Sequence, residues 1–165
     1  MNQWKNTANV ISWFKNIQDE PSHTFMMLDI KDIYPSISEK LLKEGLDFAK
    51  SKVNISKTDE GTILQARKSL LFDGTHVWIK KKGGLFDVTM GAYDGAEVCE
   101  LVGTFLLYTL AQKYPKENMG LYRDDGLAVF KNTSGPQNER IKKDFQRIFK
   151  EKGLGSRHCL QQEIC

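Results

Sequence analysis

Two acidic strand ends carry the chemistry this sequence is able to do. One is the pair Asp124-Asp125 within Leu121-Tyr122-Arg123-Asp124-Asp125-Gly126-Leu127-Ala128-Val129-Phe130. Apolar runs flank it, and Asp-Asp-Gly reads as the tip of a tight hairpin. The other, nearly a hundred residues earlier, is Asp29 in Phe25-Met26-Met27-Leu28-Asp29-Ile30. An Asp-Asp-Gly turn by itself needs no function. A fold that brings both ends together makes an all-oxygen site suited to Mg²⁺, which binds through one or two carboxylates plus substrate phosphates. Two such cations about 3.5–4 Å apart stabilise the attacking and leaving oxygens of an in-line phosphoryl displacement. Three crowded carboxylates repel, so without a cation at least one should have a raised pKa.

The elements that must position these residues are legible in outline. Residues 24–30 form an apolar run bounded by polar residues, as a buried strand does. A short helix is expected over about 7–17, followed by a loop through Pro21. After Pro35, either Ser36 or Ser38 can cap a helix, and Ser36 with Glu39 fits a capping box. Leu41, Leu42, Leu46, Ala49 and Val53 carry its helical period. Ser56 with Asp59 predicts a second helix, carried by Ile63, Leu64, Ala66, Leu70 and Leu71. Strands are expected over Thr75–Lys80 and Leu85–Thr89, joined at Gly83-Gly84. Residues 94–113 are apolar almost all round, which predicts a buried helix. Strands over 119–123 and 127–131 flank the acidic turn. Ser134, Pro136 and Gln137 open a last helix with an apolar stripe of Ile141, Phe145, Ile148 and Phe149. The order predicts an α+β fold, an antiparallel split-βαβ sheet with helices packed on one face.

The 165 residues suit one domain, and 40% hydrophobic with 27% charged residues is an ordinary globular composition. No apolar run approaches the length of a membrane-spanning helix, and the N-terminus lacks a signal-peptide core. No membrane partner is therefore expected, and the chain reads as intracellular. The net charge of +3, from 24 basic and 21 acidic residues, does not by itself argue for nucleic acid. Two basic clusters, Lys80–Lys82 and Lys142, Lys143, Arg147, Lys150 and Lys152, are either solvated faces or phosphate-contact surfaces. Cys99, Cys159 and Cys165 lack metal-ligand spacing, and Cys99 reads as a buried small hydrophobe. His23, His76 and His158 share no spacing and read as non-ligands.

The acidic segments resemble motifs A and C of reverse transcriptases, with Tyr122-Arg123-Asp124-Asp125 as the Tyr-x-Asp-Asp box and Phe25–Tyr34 as the motif A strand. Phe86-Asp87-Val88-Thr89-Met90-Gly91-Ala92-Tyr93-Asp94-Gly95-Ala96 lies between them in the place of motif B. The three boxes stand in family order, and their wording is most similar to retrotransposon-type elements. The resemblance implies a polymerase palm over residues 23–154, with an N-terminal extension over 1–22 and an atypical tail over 155–165. It also implies an RNA-directed DNA polymerase that adds deoxynucleoside triphosphates to a primer 3′-OH on an RNA or DNA template. The implied cofactor is a pair of Mg²⁺ ions, for which Mn²⁺ can substitute.

Residue by residue, the resemblance makes Asp29, Asp124 and Asp125 catalytic metal ligands, with Asp124 the stronger candidate of the hairpin pair. The carbonyl of Ile30 assists one metal. Asp32 and Ile33 fall where backbone amides meet the triphosphate. Tyr34 falls where an aromatic packs under the nucleotide sugar and excludes a 2′-OH, although a strand aromatic also suits a core. Gly91 lets the chain approach nucleotide and template. Tyr122 and Arg123 lie by the primer, with Arg123 able to reach a phosphate. Met90 and Ala92-Tyr93-Asp94 depart from the usual form of motif B. The helix over 142–152 corresponds to motif D, and no residue in it stands out as a general acid. The chain begins almost at motif A, without the upstream fingers, and residues 155–165 do not read as the apolar strand and thumb the family continues with. An inactive remnant of such an element, with at most weak nucleic-acid or protein binding, is therefore the alternative reading.

Overall fold

Strand β2 (His23–Lys31) is the axis of the molecule, and its burial alternates along its length. Met26, Leu28 and Ile30 are fully buried, whereas Met27, Asp29 and Lys31 are exposed, as the two-residue period of a strand requires. The computed structural model describes residues 2–17, 22–79 and 84–161, and side chains through residue 156 of that set. The expected loop at Pro21 and the basic cluster Lys80–Lys82 lie outside the described residues.

Five strands form the main sheet in the order β1-β5-β6-β2-β7. These are β1 (Asn2–Gln3), β2, β5 (Met119–Tyr122), β6 (Asp125–Lys131) and β7 (Gly155–Gln161). All pairs are antiparallel except β1 with β5, where Asn2 stands beside Gly120 and Gln3 beside Leu121 in parallel. A separate two-stranded ribbon is made by β3 (Leu71–Phe72) and β4 (Val77–Trp78). The helices are α1 (Thr7–Lys15), α2 (Ile33–Ser36), α3 (Glu39–Lys50), α4 (Lys57–Gln65), α5 (Gly95–Leu110) and α6 (Gly135–Glu151). The core-facing side of β2 packs with Leu41, Leu42 and Leu46 of α3, Val98, Val102, Leu106 and Leu110 of α5, and Phe145 and Phe149 of α6. Short α1 meets the opposite face, where the rings of Phe14 and Phe25 lie 5.4 Å apart. The expected α+β sheet with the long helices on one face is the architecture observed.

The helix starts follow the cap chemistry. Ser38, rather than Ser36, caps α3 by accepting the Leu41 N–H at 3.1 Å. Ser36 is used in α2, donating its N–H to the Asp32 carbonyl. Ser56 and Asp59 form the expected capping box on α4, and Gln137 Oε1 accepts the Ser134 N–H at the start of α6.

Three expectations need correction. The helix predicted to run through Leu70 and Leu71 ends at Gln65, because the chain turns there to run beside 85–87. The Ser69 N–H donates to the Leu85 carbonyl and the Asp87 N–H to the Arg67 carbonyl, while Leu70 and Leu71 are exposed. The strand expected over Leu85–Thr89 is correspondingly reduced to a single bridge between Lys68 and Phe86. Residues 155–161, too poorly alternating to predict a strand, pair with β2 from Phe25↔Gln161 to Lys31↔Gly155. Backbone hydrogen bonds to an available edge form whatever the side chains, so pattern alone undercalls such a strand. Among the described residues no helix is long and apolar enough to cross a membrane.

Candidate active site

Asp29 and Asp125 are brought face to face by register: β2 pairs with β6 so that Asp29 stands opposite Asp125. The Ile30 N–H donates to the Asp124 carbonyl at 2.9 Å. Bonded and non-bonded pairs alternate along an antiparallel ladder, so Asp29 and Asp125 occupy a non-bonded pair, where Cα atoms come within about 4.5 Å. Both carboxylates lie on the exposed face of the sheet. On its other side, Asp29 is in register with Arg157 of β7.

The hairpin turn sits one residue earlier than the sequence suggests. Tyr122 pairs with Asp125 and Leu121 with Gly126, which leaves Arg123 and Asp124 as the connection. Arg123 takes φ 55°, a left-handed conformation uncommon outside glycine. Asp125 therefore begins β6 and Asp124 projects from the turn. Gly126 serves packing rather than turning: a Cβ there would lie 2.5 Å from Leu121 Cδ2 and 2.9 Å from Leu28 Cδ1. Its small size lets two core leucines close under the carboxylate pair.

The electrostatics match crowded acids. Partial burial, and then the charges of Asp124 and Asp29, raise the Asp125 carboxyl pKa. Opposed like charges destabilise a sheet, and a cation would relieve that repulsion. The donor chemistry is all oxygen, which suits Mg²⁺. Among the described residues, however, no group of three or more His, Cys, Asp or Glu side chains is gathered closely enough to hold a metal. The residues thus fit the ion by donor type, while their placement on neighbouring strands leaves them in an open arrangement that is not a gathered metal site.

The other sequence-derived candidates surround this pair unevenly. Ile30 and Ile33 are buried side chains of the core, so only their backbone can serve a ligand. Asp32 is exposed with φ 49° and precedes α2. Tyr34, in α2, is half-buried; burial first, then the fields of Cys99, Asp124 and Glu100 against that of Arg123, raise its hydroxyl pKa. Tyr34 thus stands within electrostatic reach of the hairpin tip. The Arg123 guanidinium lies over the Tyr122 ring, 5.5 Å from its centroid. Gly91 has φ +88°, and a Cβ on it would meet open space. Its backbone conformation, rather than any close neighbour, accounts for the glycine. Cys99 is buried in α5, with burial as the main cause of a thiol pKa pushed up to about 11.

The late basic cluster is partly neutralised within the fold. Lys142 pairs with Glu139 at 3.7 Å, Arg147 with Asp144 and Glu151, and Lys152 with Glu44 at 2.5 Å. Two features escaped sequence reasoning. One is a groove of about 340 Å³ beside Asp125, lined by Trp4, Val10, Met27, Tyr122 and Leu127. The other is Arg67, 6% exposed and paired with Asp94. A lone Arg after a helix gives no pattern by which to find it.

No protein-family model matches the chain. No curated protein matches it either. Solved structures do. A Candida tropicalis apo telomerase truncated from its C-terminal domain aligns over 99% of this chain and 37% of its own, with a TM-score of 0.61 at 15% identity. The Candida tropicalis telomerase in complex with a TWJ fragment of telomeric RNA aligns over 98% of this chain and 30% of its own, again at 0.61, with 16% identity. The chain therefore spans about a third of the length of these structures. Its fold, a five-stranded sheet backed on one face by α3, α5 and α6, is shared with that part of these telomerase structures.

Proposed function

We propose that the chain is the palm of an RNA-directed DNA polymerase of retrotransposon type, which transfers nucleotides to a primer 3′-OH. One observation carries the reading: Asp29 and Asp125 stand opposite each other on adjacent strands, with Asp124 in the turn bonded to Ile30. Asp29, Asp124 and Asp125 would hold two Mg²⁺, or Mn²⁺ in their place. When bound, the ions supply charge neutralisation on the phosphate oxygens and a lower pKa for the attacking hydroxyl.

This chain's own residues do the positioning. The sheet register fixes Asp29 and Asp125 before any substrate arrives, which is the preorganisation that electrostatic catalysis needs. The backbone amides of Asp32 and Ile33, at the bend after β2, face the triphosphate, and the Ile30 carbonyl lies beside Asp29. The Tyr34 ring lies under the sugar and excludes a 2′-OH. Arg123, exposed at the turn beside Tyr122, meets a primer phosphate. Gly91 leaves the space over its loop open for nucleotide and template. An RNA or DNA template and an intracellular setting complete the proposal, and the RNA-bound telomerase of the same fold supports the nucleic-acid partner.

The open arrangement of the carboxylates favours a second reading, a folded palm without turnover. Extension of a primed RNA by the chain in Mg²⁺ or Mn²⁺ separates the two. Extension that disappears in Asp29→Asn and Asp125→Asn establishes the polymerase. A folded chain that binds Mg²⁺ and never extends the primer establishes the second reading.

A further inference from the structure

We infer that Arg67 is a positioning residue that fastens both ends of the loop 87–94 and thereby sets the affinity for the incoming nucleotide; this rests on the polymerase reading above. Arg67 follows α4 and is 6% exposed. Its carbonyl accepts the Asp87 N–H at 2.8 Å, and its guanidinium donates through Nη2 to Asp94 Oδ1. One residue thus holds the first and last positions of an eight-residue loop.

The loop needs such a fastening. Between its ends, Met90 is 77% exposed, Tyr93 is fully exposed, and Gly91 borders open space. Asp94 occupies the N-cap position of α5 yet makes no side-chain cap bond. An Asp at that position ordinarily accepts a helix N–H. Here its carboxylate is turned to Arg67 instead. Burying a guanidinium is costly unless it is paired, and Arg67 Nε has no partner among the described residues. The pair is therefore an expensive one whose product is a fixed loop base.

That base borders the proposed site. Gly95 follows Asp94, and a Cβ there would lie 2.8 Å from the Thr89 carbonyl and 3.8 Å from Tyr34 Cε1. Thr89 and Asp87 also line a groove of about 500 Å³ together with Pro35, the residue after Tyr34. A shift of the loop base is therefore transmitted to the position of the sugar-facing ring.

The test uses the full chain with Arg67→Met, Arg67→Lys and Asp94→Asn. Asp94 is 37% exposed in its side chain, so its Asn variant is the one least exposed to misfolding. Amide exchange of residues 87–95 should quicken about tenfold or more in Arg67→Met and Asp94→Asn, as loss of a networked contact implies, while β2 and β6 stay protected. KM for a deoxynucleoside triphosphate should rise about tenfold with kcat within about twofold, and Arg67→Lys should recover part of the loss. Unchanged loop exchange in both charge-removing variants overturns the fastening. Faster loop exchange with unchanged KM overturns the positioning role. A wild-type chain that neither binds nor incorporates nucleotide defeats the polymerase reading instead, and the exchange result then decides by itself whether Arg67 holds the loop.

Discussion

Asp29 and Asp125 stand opposite each other in the non-bonded position of the two central antiparallel strands, next to the Ile30–Asp124 hydrogen bond. The strands hold two negative charges at their closest cross-strand spacing, and the core beneath them, including Leu28 and Leu121, keeps the register from slipping.

The first expectation concerns stability. Removing one of two opposed like charges should stabilise the cation-free protein by about 0.2–1 kcal/mol. Asp125→Asn should therefore raise the urea midpoint in chelator. The same variant should lose the stabilisation that Mg²⁺ gives the wild type. A midpoint that rises with Mg²⁺ equally in both proteins would place the cation elsewhere.

The second concerns pH. The Asp125 carboxyl is raised in the folded chain, chiefly by burial and then by Asp124 and Asp29. A carboxyl with a raised folded pKa binds its proton more tightly when folded, so its penalty to stability is full above that pKa and fades as pH falls through it. The advantage of Asp125→Asn over wild type should be greatest at neutral pH and shrink on acidification toward the ordinary Asp value. Paired denaturation curves across that range check it, and an advantage that grows on acidification would contradict it.

The third concerns the sugar. Tyr34→Ala or Tyr34→Val should raise ribonucleotide relative to deoxyribonucleotide incorporation by about tenfold or more, since a smaller side chain leaves room for a 2′-OH. The check is the ratio of kcat/KM for the two substrates. An unchanged ratio in an active variant would return Tyr34 to the core.

The fourth concerns the N-terminal segment. A Cβ at Gly120 would lie 2.4–2.6 Å from three atoms of the Trp4 indole. Trp4 is 5% exposed, and its backbone N–H donates to the Leu121 carbonyl at 2.8 Å. Gly120→Ala should cost about 1–3 kcal/mol by overpacking. The double variant with Trp4→Ala should cost less than the two single changes together, because the first clash no longer exists. Additive costs from denaturant curves would mean that Trp4 does not lie against Gly120.

Most of the sheet was legible because β2, β5 and β6 are apolar runs bounded by polar residues or by the acidic turn. Met26, Leu28 and Ile30 alternate against an exposed face, and the turn at Arg123–Asp124 missed its sequence estimate by a single residue. Of Asp29, Asp124 and Asp125, what was legible is their placement at two strand ends, which the register of β2 and β6 brings together. Strands β1 and β7 were not, since edge strands draw their stability from backbone bonds to a neighbour that sequence pattern does not identify. Arg67 stayed hidden for a related reason. Its two partners, Asp87 and Asp94, lie 20 residues or more along the chain, and only the fold brings them to it.

The central position of β2 also governs how the chain comes together during synthesis. Both of its neighbours, β6 and β7, are made about a hundred residues or more after it. Until they emerge, Phe25-Met26-Met27-Leu28 is an apolar stretch with both edges unsatisfied. Pairings so distant in sequence form slowly, and unpaired strands of this kind are prone to aggregate while they wait. The strand that carries Asp29 is thus made well before the two strands that complete its hydrogen bonding, and Phe25–Leu28 is the segment to shield in the interval.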